Sequence, residues 1–175
     1  MQATKQAERF RHLFDYDPWT GSLKWRNPTA RNIKKGQPAG SKDRHGYRKL
    51  IADGKTLLVH RVIWCMCHGE MPKGLIDHVN GNRADNRIDN LRLATRSQNS
   101  VNSTRARGST GVRGITRLKS GLYRTQIKSR GRVRYLGSYT EISEAREVFE
   151  LAHQLVHGNF SPYSKRAPRR HTSQS

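Results

Sequence analysis

The stretch from 75 to 102 leaves this chain little choice of local structure. Leu75-Ile76-Asp77-His78-Val79 is a short apolar run with strand character. Residues 80–89 are a polar loop rich in Asn, Asp, Arg and Gly, long enough to fold back before Leu91-Arg92-Leu93 makes a second strand. Thr95-Arg96-Ser97-Gln98 then has the form of a capping box, a Thr followed three residues later by a Gln, so a helix starts there. The segment therefore reads strand, loop, strand, helix, and its first strand delivers Asp77 and His78 side by side into an Asn-Gly-Asn loop.

The residue types in that frame carry chemistry. His78 stands twelve residues before Asn90 and twenty-one before Asn99. Asn99 falls in the first turn of the expected helix and shares a face with Asn102 and Ser103, which can turn toward the strand carrying Asp77. A carboxylate and a carboxamide can hold one divalent cation while the neighbouring imidazole takes a proton from water, which is what hydrolysis of a phosphodiester near neutral pH requires.

The charge balance supplies a reason to meet such a substrate. Lys and Arg number 34 against 13 Asp and Glu, a formal +21 spread along most of the chain, and a polyanion, double-stranded DNA above all, is the expected partner. No long amphipathic basic helix points to a membrane surface, and no apolar run approaches the length of a bilayer span. The amino terminus, Met-Gln-Ala-Thr-Lys-Gln, lacks the apolar stretch of a secretory leader, so the expected location is the cytoplasm. With 33% hydrophobic residues, two lean modules are expected instead of one large core. Cys65 and Cys67 lie in an apolar helical segment with no second ligand pair, which reads as two buried free thiols and no structural zinc.

The flanking chain reads as scaffold. Residues 9–26 give a short apolar helix, a Pro-x-Thr-Gly turn and a brief strand, with Trp19 and Trp25 as core aromatics or base-stacking groups. The basic segment 26–48 is a long loop whose Lys34, Lys35, Lys42 and Arg44 are either phosphate contacts or solvated charges. Tyr47–Ala52 and Lys55–His60 flank Asp53-Gly54, the signal for a two-residue hairpin turn. His60 opens a helix that Gly69 and Pro72 end, and a structural role is expected for it.

Beyond a polar linker, residues 111–116, 122–129 and 132–136 read as three short strands. In the middle one Tyr123, Thr125 and Ile127 alternate with Arg124, Gln126 and Lys128, giving one apolar and one basic-polar face. Residues 141–157 place Ala145, Val148, Phe149, Ala152, Leu155 and Val156 along a helical stripe closed by Gly158, and that helix should cover the apolar face. The other face could enter a major groove. The segment from Ser161 to Ser175, with Lys165, Arg166, Arg169 and Arg170, reads as a disordered basic tail.

These residues match a pattern. Asp77-His78, the Asn-Gly loop, Asp85-Asn86-Arg87-Ile88-Asp89-Asn90-Leu91-Arg92 and Asn99 resemble the ββα-metal core of HNH endonucleases, in particular the phage homing-endonuclease branch ending in Asn instead of His. His60-Arg61-Val62-Ile63-Trp64 and the Tyr-Asp-Pro-x-Thr-Gly element are similar to that branch as well. The resemblance implies His78 as general base, Asp77 and Asn99 as ligands of one Mg²⁺ with Mn²⁺ as its substitute, and Asn90 as the residue that orients the His78 ring. Asn99 in place of His tilts the site toward such hard cations. Products would carry 5′-phosphate and 3′-hydroxyl ends, and a phage-encoded enzyme would work in the host cell cytoplasm.

Gly111-Val112-Arg113-Gly114-Ile115, Tyr135-Leu136-Gly137-Ser138-Tyr139 and the Glu144-Ala145 helix ending in His157-Gly158 resemble the AP-two, or ethylene-responsive-factor, type of DNA-binding domain. That resemblance implies DNA contacts from Arg113, Arg124, Gln126, Lys128 and Tyr135, with Arg132 and Arg134 ranked lower.

The expectation is an α+β chain: an HNH nuclease domain of the ββα-metal, or His-Me finger, type with β-hairpin elements at 1–104, a three-stranded antiparallel sheet packed on one helix at 105–160, and a basic tail at 161–175. Its expected function is site-specific DNA cutting, with a homodimer if both strands are cut. The rival is a DNA-binding regulator that does not cut, and a third reading is an RNA-associated basic protein.

Overall fold

The computed structural model describes residues 4–103 and 110–164. The chain divides into two compact units after Asn99, and both are mixtures of short helices and small antiparallel sheets. Lys165, Arg166, Arg169, Arg170 and the linker 104–109 lie outside the described residues.

In the first unit, helix α1 (Lys5–Leu13) is capped by Thr4, whose Oγ1 accepts from the Ala7 N–H at 3.3 Å. It buries Ala7, Phe10 and Leu13 and runs straight into strand β1 (Phe14–Asp17), which pairs with β2 (Ser22–Trp25). The expected single strand here is a hairpin, because the Pro-x-Thr-Gly turn reverses the chain between two strands. Phe14 and Trp25 face each other in its register with ring centroids 4.6 Å apart, an arrangement that adds about 1 kcal/mol beyond simple burial.

The long loop that follows touches the hairpin through a Lys24–Pro38 bridge and contributes a two-residue strand, β3 (Ser41–Lys42). β4 (Arg48–Ala52) and β5 (Lys55–Leu58) form the expected hairpin, with Asp53 and Gly54 both at positive φ, as a primed two-residue turn requires. Helix α2 (Val59–His68) follows and ends on left-handed Gly69. Its Val59, Val62, Ile63, Cys65 and Met66 join Phe10, Leu13, Phe14, Leu23 and Trp25 in one core. Cys65 is buried as expected, but Cys67 is exposed, because two positions on is nearly half a helical turn away from the core face.

Strands β6 (Leu75–His78) and β7 (Leu91–Ala94) are antiparallel, with Asp77 opposite Arg92 and His78 opposite Leu91. Helix α3 (Arg96–Val101) comes next, and its capping box is formed at both ends. The Gln98 N–H donates to Thr95 Oγ1 at 3.2 Å, and the Thr95 N–H donates to Gln98 Oε1 at 2.8 Å.

In the second unit β8 (Ile115–Arg117), β9 (Tyr123–Ser129) and β10 (Arg132–Tyr139) form one antiparallel sheet with β9 in the centre. β10 is longer than expected because a bulge between Tyr135 and Gly137 lets pairing resume. Helix α4 (Ile142–His157) packs on β9 and buries Ala145, Phe149 and His153. The expected stripe is wrong at its end: Leu155 is 87% exposed and Val156 also lies outside. His153 takes the inner position because the chain after α4 turns back, and Ser161 supplies a hydrogen bond to its ring. Ser161 is itself buried, so the segment 161–164 is packed, in contrast to the tail expected from 161.

Candidate active site

β6 has an exposed Leu75 followed by buried Ile76, Asp77 and His78. A strand normally alternates, so two consecutive buried polar groups at its end mark a place where both faces are covered. Burying a carboxylate and an imidazole there is costly unless each is partnered.

Asp77 is held by Arg92 across the β6–β7 pair, whose Nε and Nη2 donate to Asp77 Oδ2 at 2.8 and 2.6 Å. The partnership follows from register: Asp77 and Arg92 are directly opposite each other.

His78 lies 3% exposed, with its Nε2 3.1 Å from Asn86 Oδ1. Its ring is flanked by His60, edge-on at 5.2 Å, and by Tyr47 at 6.1 Å. The Arg83 guanidinium covers Tyr47 at 4.7 Å from the ring centroid. Burial lowers the pKa of His78, opposed by the Asn86 hydrogen bond and the charges of Asp77 and Asp85. Burial, with His78 and Arg61 nearby, takes His60 down to about 4. Both imidazoles are therefore neutral at pH 7, and His60 Nδ1 is buried with no hydrogen-bond partner among the described residues.

Asn90 is 7% exposed, and its side chain is committed to the loop. Its Nδ2 donates to Asn80 Oδ1 at 3.0 Å and to the Asp85 carbonyl at 2.8 Å, while its Oδ1 accepts from the Asn80 N–H at 3.0 Å. The hydrogen bond to the His78 ring that the resemblance gave to Asn90 is made by Asn86 instead. Asn90 acts one step back, as the staple that closes the 80–90 loop under that ring.

Asn99 is half-buried in the first turn of α3, with its N–H donating to the Thr95 carbonyl at 2.9 Å. Among the described residues no group of three or more His, Cys, Asp or Glu side chains could hold a metal by themselves. Carboxylate and carboxamide oxygens are hard donors, the kind that a hard divalent cation takes.

In the second unit the register separates the expected contact residues. Thr125 and Ile127 are buried toward α4, so Arg124, Gln126 and Lys128 share the opposite face of β9. Tyr135 pairs with Gln126, and Val133 with Lys128, so both join that face, 64% and 58% exposed. Arg134 pairs with Ile127 and Arg132 with Ser129, which puts them on the other side by register, although both are exposed. Arg113 is turned inward: its Nη1 donates to the carbonyls of Val101 at 3.0 Å and Ser103 at 2.5 Å.

Asn86, His60, Tyr47 and Arg92 were not among the expected site residues. Asn86 and Arg92 stand in the Asp85–Arg92 run that carries the resemblance and His60 in the His-Arg-Val-Ile-Trp segment beside it, whereas nothing in the sequence singles out Tyr47.

Comparison with known proteins fits this geometry. The chain is 29% identical over 122 residues to an uncharacterized HNH endonuclease of Acanthamoeba polyphaga mimivirus, covering 69% of this chain and 63% of that protein. It is also 29% identical over 107 residues to protein 3.8 of Escherichia phage T7, covering 59% of this chain and 88% of the phage protein. No solved structure matches. Residues 57–101, which span α2, β6, the 80–90 loop, β7 and α3, match the HNH endonuclease family, so the chain carries an HNH endonuclease domain with viral relatives at modest identity.

Proposed function

We propose that this chain is a site-specific DNA endonuclease with a ββα-metal core, of the phage homing type. The observation that carries the reading is the buried Asp77-His78 pair at the end of β6, inside the HNH match and followed by β7 and α3. His78, kept neutral by burial, takes the proton of a water molecule as its oxygen attacks phosphorus. The bond from phosphorus to the 3′-oxygen breaks, leaving a 5′-phosphate and, after protonation, a 3′-hydroxyl. Asp77 and Asn99 would hold one divalent cation, Mg²⁺ with Mn²⁺ as its substitute, which supplies Lewis-acid stabilisation of charge on the phosphate and the departing oxygen. Asn90 keeps the 80–90 loop closed so that His78 cannot swing away.

Residues 110–164 would hold the DNA, as an AP-two-like module, through the outer face of its sheet. Arg124, Gln126, Lys128 and Tyr135 share that face, and their charge and exposure suit phosphates and base edges. Arg132 and Arg134 lie on the other side of the sheet and would reach only peripheral phosphates. Arg113 would support the module through backbone carbonyls instead of touching bases. A single core handles one strand, so a monomer nicks and a homodimer is needed to cut both. The site of action would be the host cell cytoplasm.

One observation favours a second reading. Arg92 already occupies Asp77 Oδ2, and a chain in which that pair never yields would bind DNA as a regulator without cutting it. The two readings part in one experiment. Supercoiled plasmid carrying phage genomic fragments is incubated with the chain in Mg²⁺ and in EDTA. Nicked or linear product only with Mg²⁺, with ends that ligase can reseal, supports the nuclease. Intact plasmid in Mg²⁺ and in Mn²⁺, with retardation of the DNA in a gel, leaves the regulator.

A further inference from the structure

We propose that Asn86 is the residue that positions His78, and that the β1–β2 hairpin holds Asn86 in place, so the working unit of the site extends to residues 14–25, outside the HNH match. The inference rests on the reading of His78 as general base.

Asn86 is 1% exposed, yet only half of its carboxamide is satisfied. Oδ1 faces His78 Nε2 at 3.1 Å, while Nδ2 is buried with no hydrogen-bond partner among the described residues. An asparagine kept for folding alone would use both ends, since an unmet buried donor is destabilising. Here one end is spent on the imidazole and the other is sacrificed. An acceptor oxygen at Nε2 selects the tautomer with its proton on Nε2, which makes Nδ1 the basic nitrogen. Asn90 cannot take this role, because its amide is already bonded to Asn80 and Asp85.

The support for Asn86 comes from the amino-terminal hairpin. The Tyr16 hydroxyl donates to the Asn86 carbonyl at 3.2 Å and accepts from the Ile88 N–H at 2.8 Å, so it spans the residues on either side of Arg87. Burial raises the Tyr16 pKa to about 12, so this hydroxyl keeps its proton throughout the working range. At the tip of the same hairpin, Gly21 has φ +70 and lies flat against the loop. A Cβ there would sit 2.5 Å from the Arg87 nitrogen and 2.7 Å from the Asn86 carbonyl carbon. Tyr16 and Gly21 thus grip the backbone of 86–88 from two points, and no other residue type fits at 21. The hairpin itself is anchored in the core by Phe14, Leu23 and Trp25.

The test reads the His78 ring directly. Long-range ¹H–¹⁵N correlation spectra of the metal-free full chain, at pH 7.5, give the tautomer of His78 in the natural protein and in Asn86→Ala, Asn86→Asp and Tyr16→Phe. The expected result is a dominant Nε2–H form in the natural protein and in Asn86→Asp, which keeps an oxygen at the ring, and a mixed population in Asn86→Ala. In single-turnover cutting, the loss of a group that orients a reacting one is expected to lower the rate about 10- to 100-fold in Asn86→Ala while DNA affinity stays unchanged. Tyr16→Phe should show a smaller loss of the same kind, and Asn86→Asp most of the natural rate. A tautomer that does not respond to Asn86→Ala overturns the proposal. So does an Nδ1–H form in the natural protein, which would put the amide nitrogen at the ring. Should Asn86→Ala fail to fold, Tyr16→Phe against Asn86→Asp carries the same comparison. A tautomer shift in a chain that never cuts DNA would support the positioning and count against the nuclease reading alone.

Discussion

His78 in the first unit and His153 in the second are 3% and 1% exposed. His78 Nε2 stands 3.1 Å from Asn86 Oδ1, and His153 Nδ1 stands 2.8 Å from Ser161 Oγ. Burial lowers the pKa of both, yet their surroundings differ in kind. Around His78 the charges of Asp77 and Asp85 pull the other way, and the residues that hold it come from a loop closed by asparagines. Around His153 stand Phe149, Tyr163 and His157, and the nearby charges of His157 and Arg113 push its pKa further down, to about 4. The first setting suits a histidine that accepts a proton. The second suits one that fills a core and ties the end of α4 to the segment after it. Burial and a shifted pKa alone do not separate the two; the carboxylates do, since Asp77 and Asp85 act on His78 more strongly than Arg83 does, while the charges that act on His153 are those of His157 and Arg113.

The largest expected effect falls on the first histidine. His78→Ala should lower cutting by about 10³-fold, the usual worth of a general base, with the fold and DNA affinity retained. Circular dichroism and gel retardation on the same preparation would check that. Next comes the partner of the neighbouring carboxylate. Arg92→Ala leaves Asp77 buried without its guanidinium and should destabilise the first unit by about 3–5 kcal/mol in urea unfolding.

The second histidine should show itself in acid. Its pKa is about 4 in the folded chain and 6.5 when unfolded, so the unfolded chain takes up the proton first. Stability contributed by neutral His153 is therefore complete above pH 6.5 and is lost as pH falls toward 4, by about 3 kcal/mol in total. Urea titrations of the natural chain and His153→Leu between pH 7.5 and 4 should show that slope flattened in the variant. His60 adds a similar acid loss in the first unit.

The smallest effect concerns the sheet face. Lys128→Gln should weaken DNA binding about equally on all sequences and reduce the slope of log affinity against log salt by about 1, whereas Arg132→Gln, on the other side by register, should change it less.

Much of this frame was legible in the sequence, for reasons that are local. Asp53-Gly54, Gly69 and the Thr95–Gln98 box are decided by backbone chemistry within four residues, and each forms as expected. The Asp77-His78 pair was legible because its neighbours Leu75 and Ile76 fix a strand. What was not legible depends on how loops close. Six Asn or Asp residues lie between 80 and 90, and nothing in their spacing says that Asn86 faces the imidazole while Asn90 faces the loop. The Asp77–Arg92 pair depends on strand register, which that loop sets. Leu155 and Val156 continued a helical stripe on paper, but the core they would fill ends at His153, where the returning chain covers the helix.

The most direct test sets the two histidines against each other in one reaction. Single-turnover cutting of DNA in Mg²⁺, with protein in saturating excess, is compared for His78→Ala and His153→Leu. The account predicts a loss of about 10³-fold in the first and a near-natural rate in the second once the DNA is bound. Cutting by His78→Ala at the natural rate would contradict it, and would remove His78 from the chemistry.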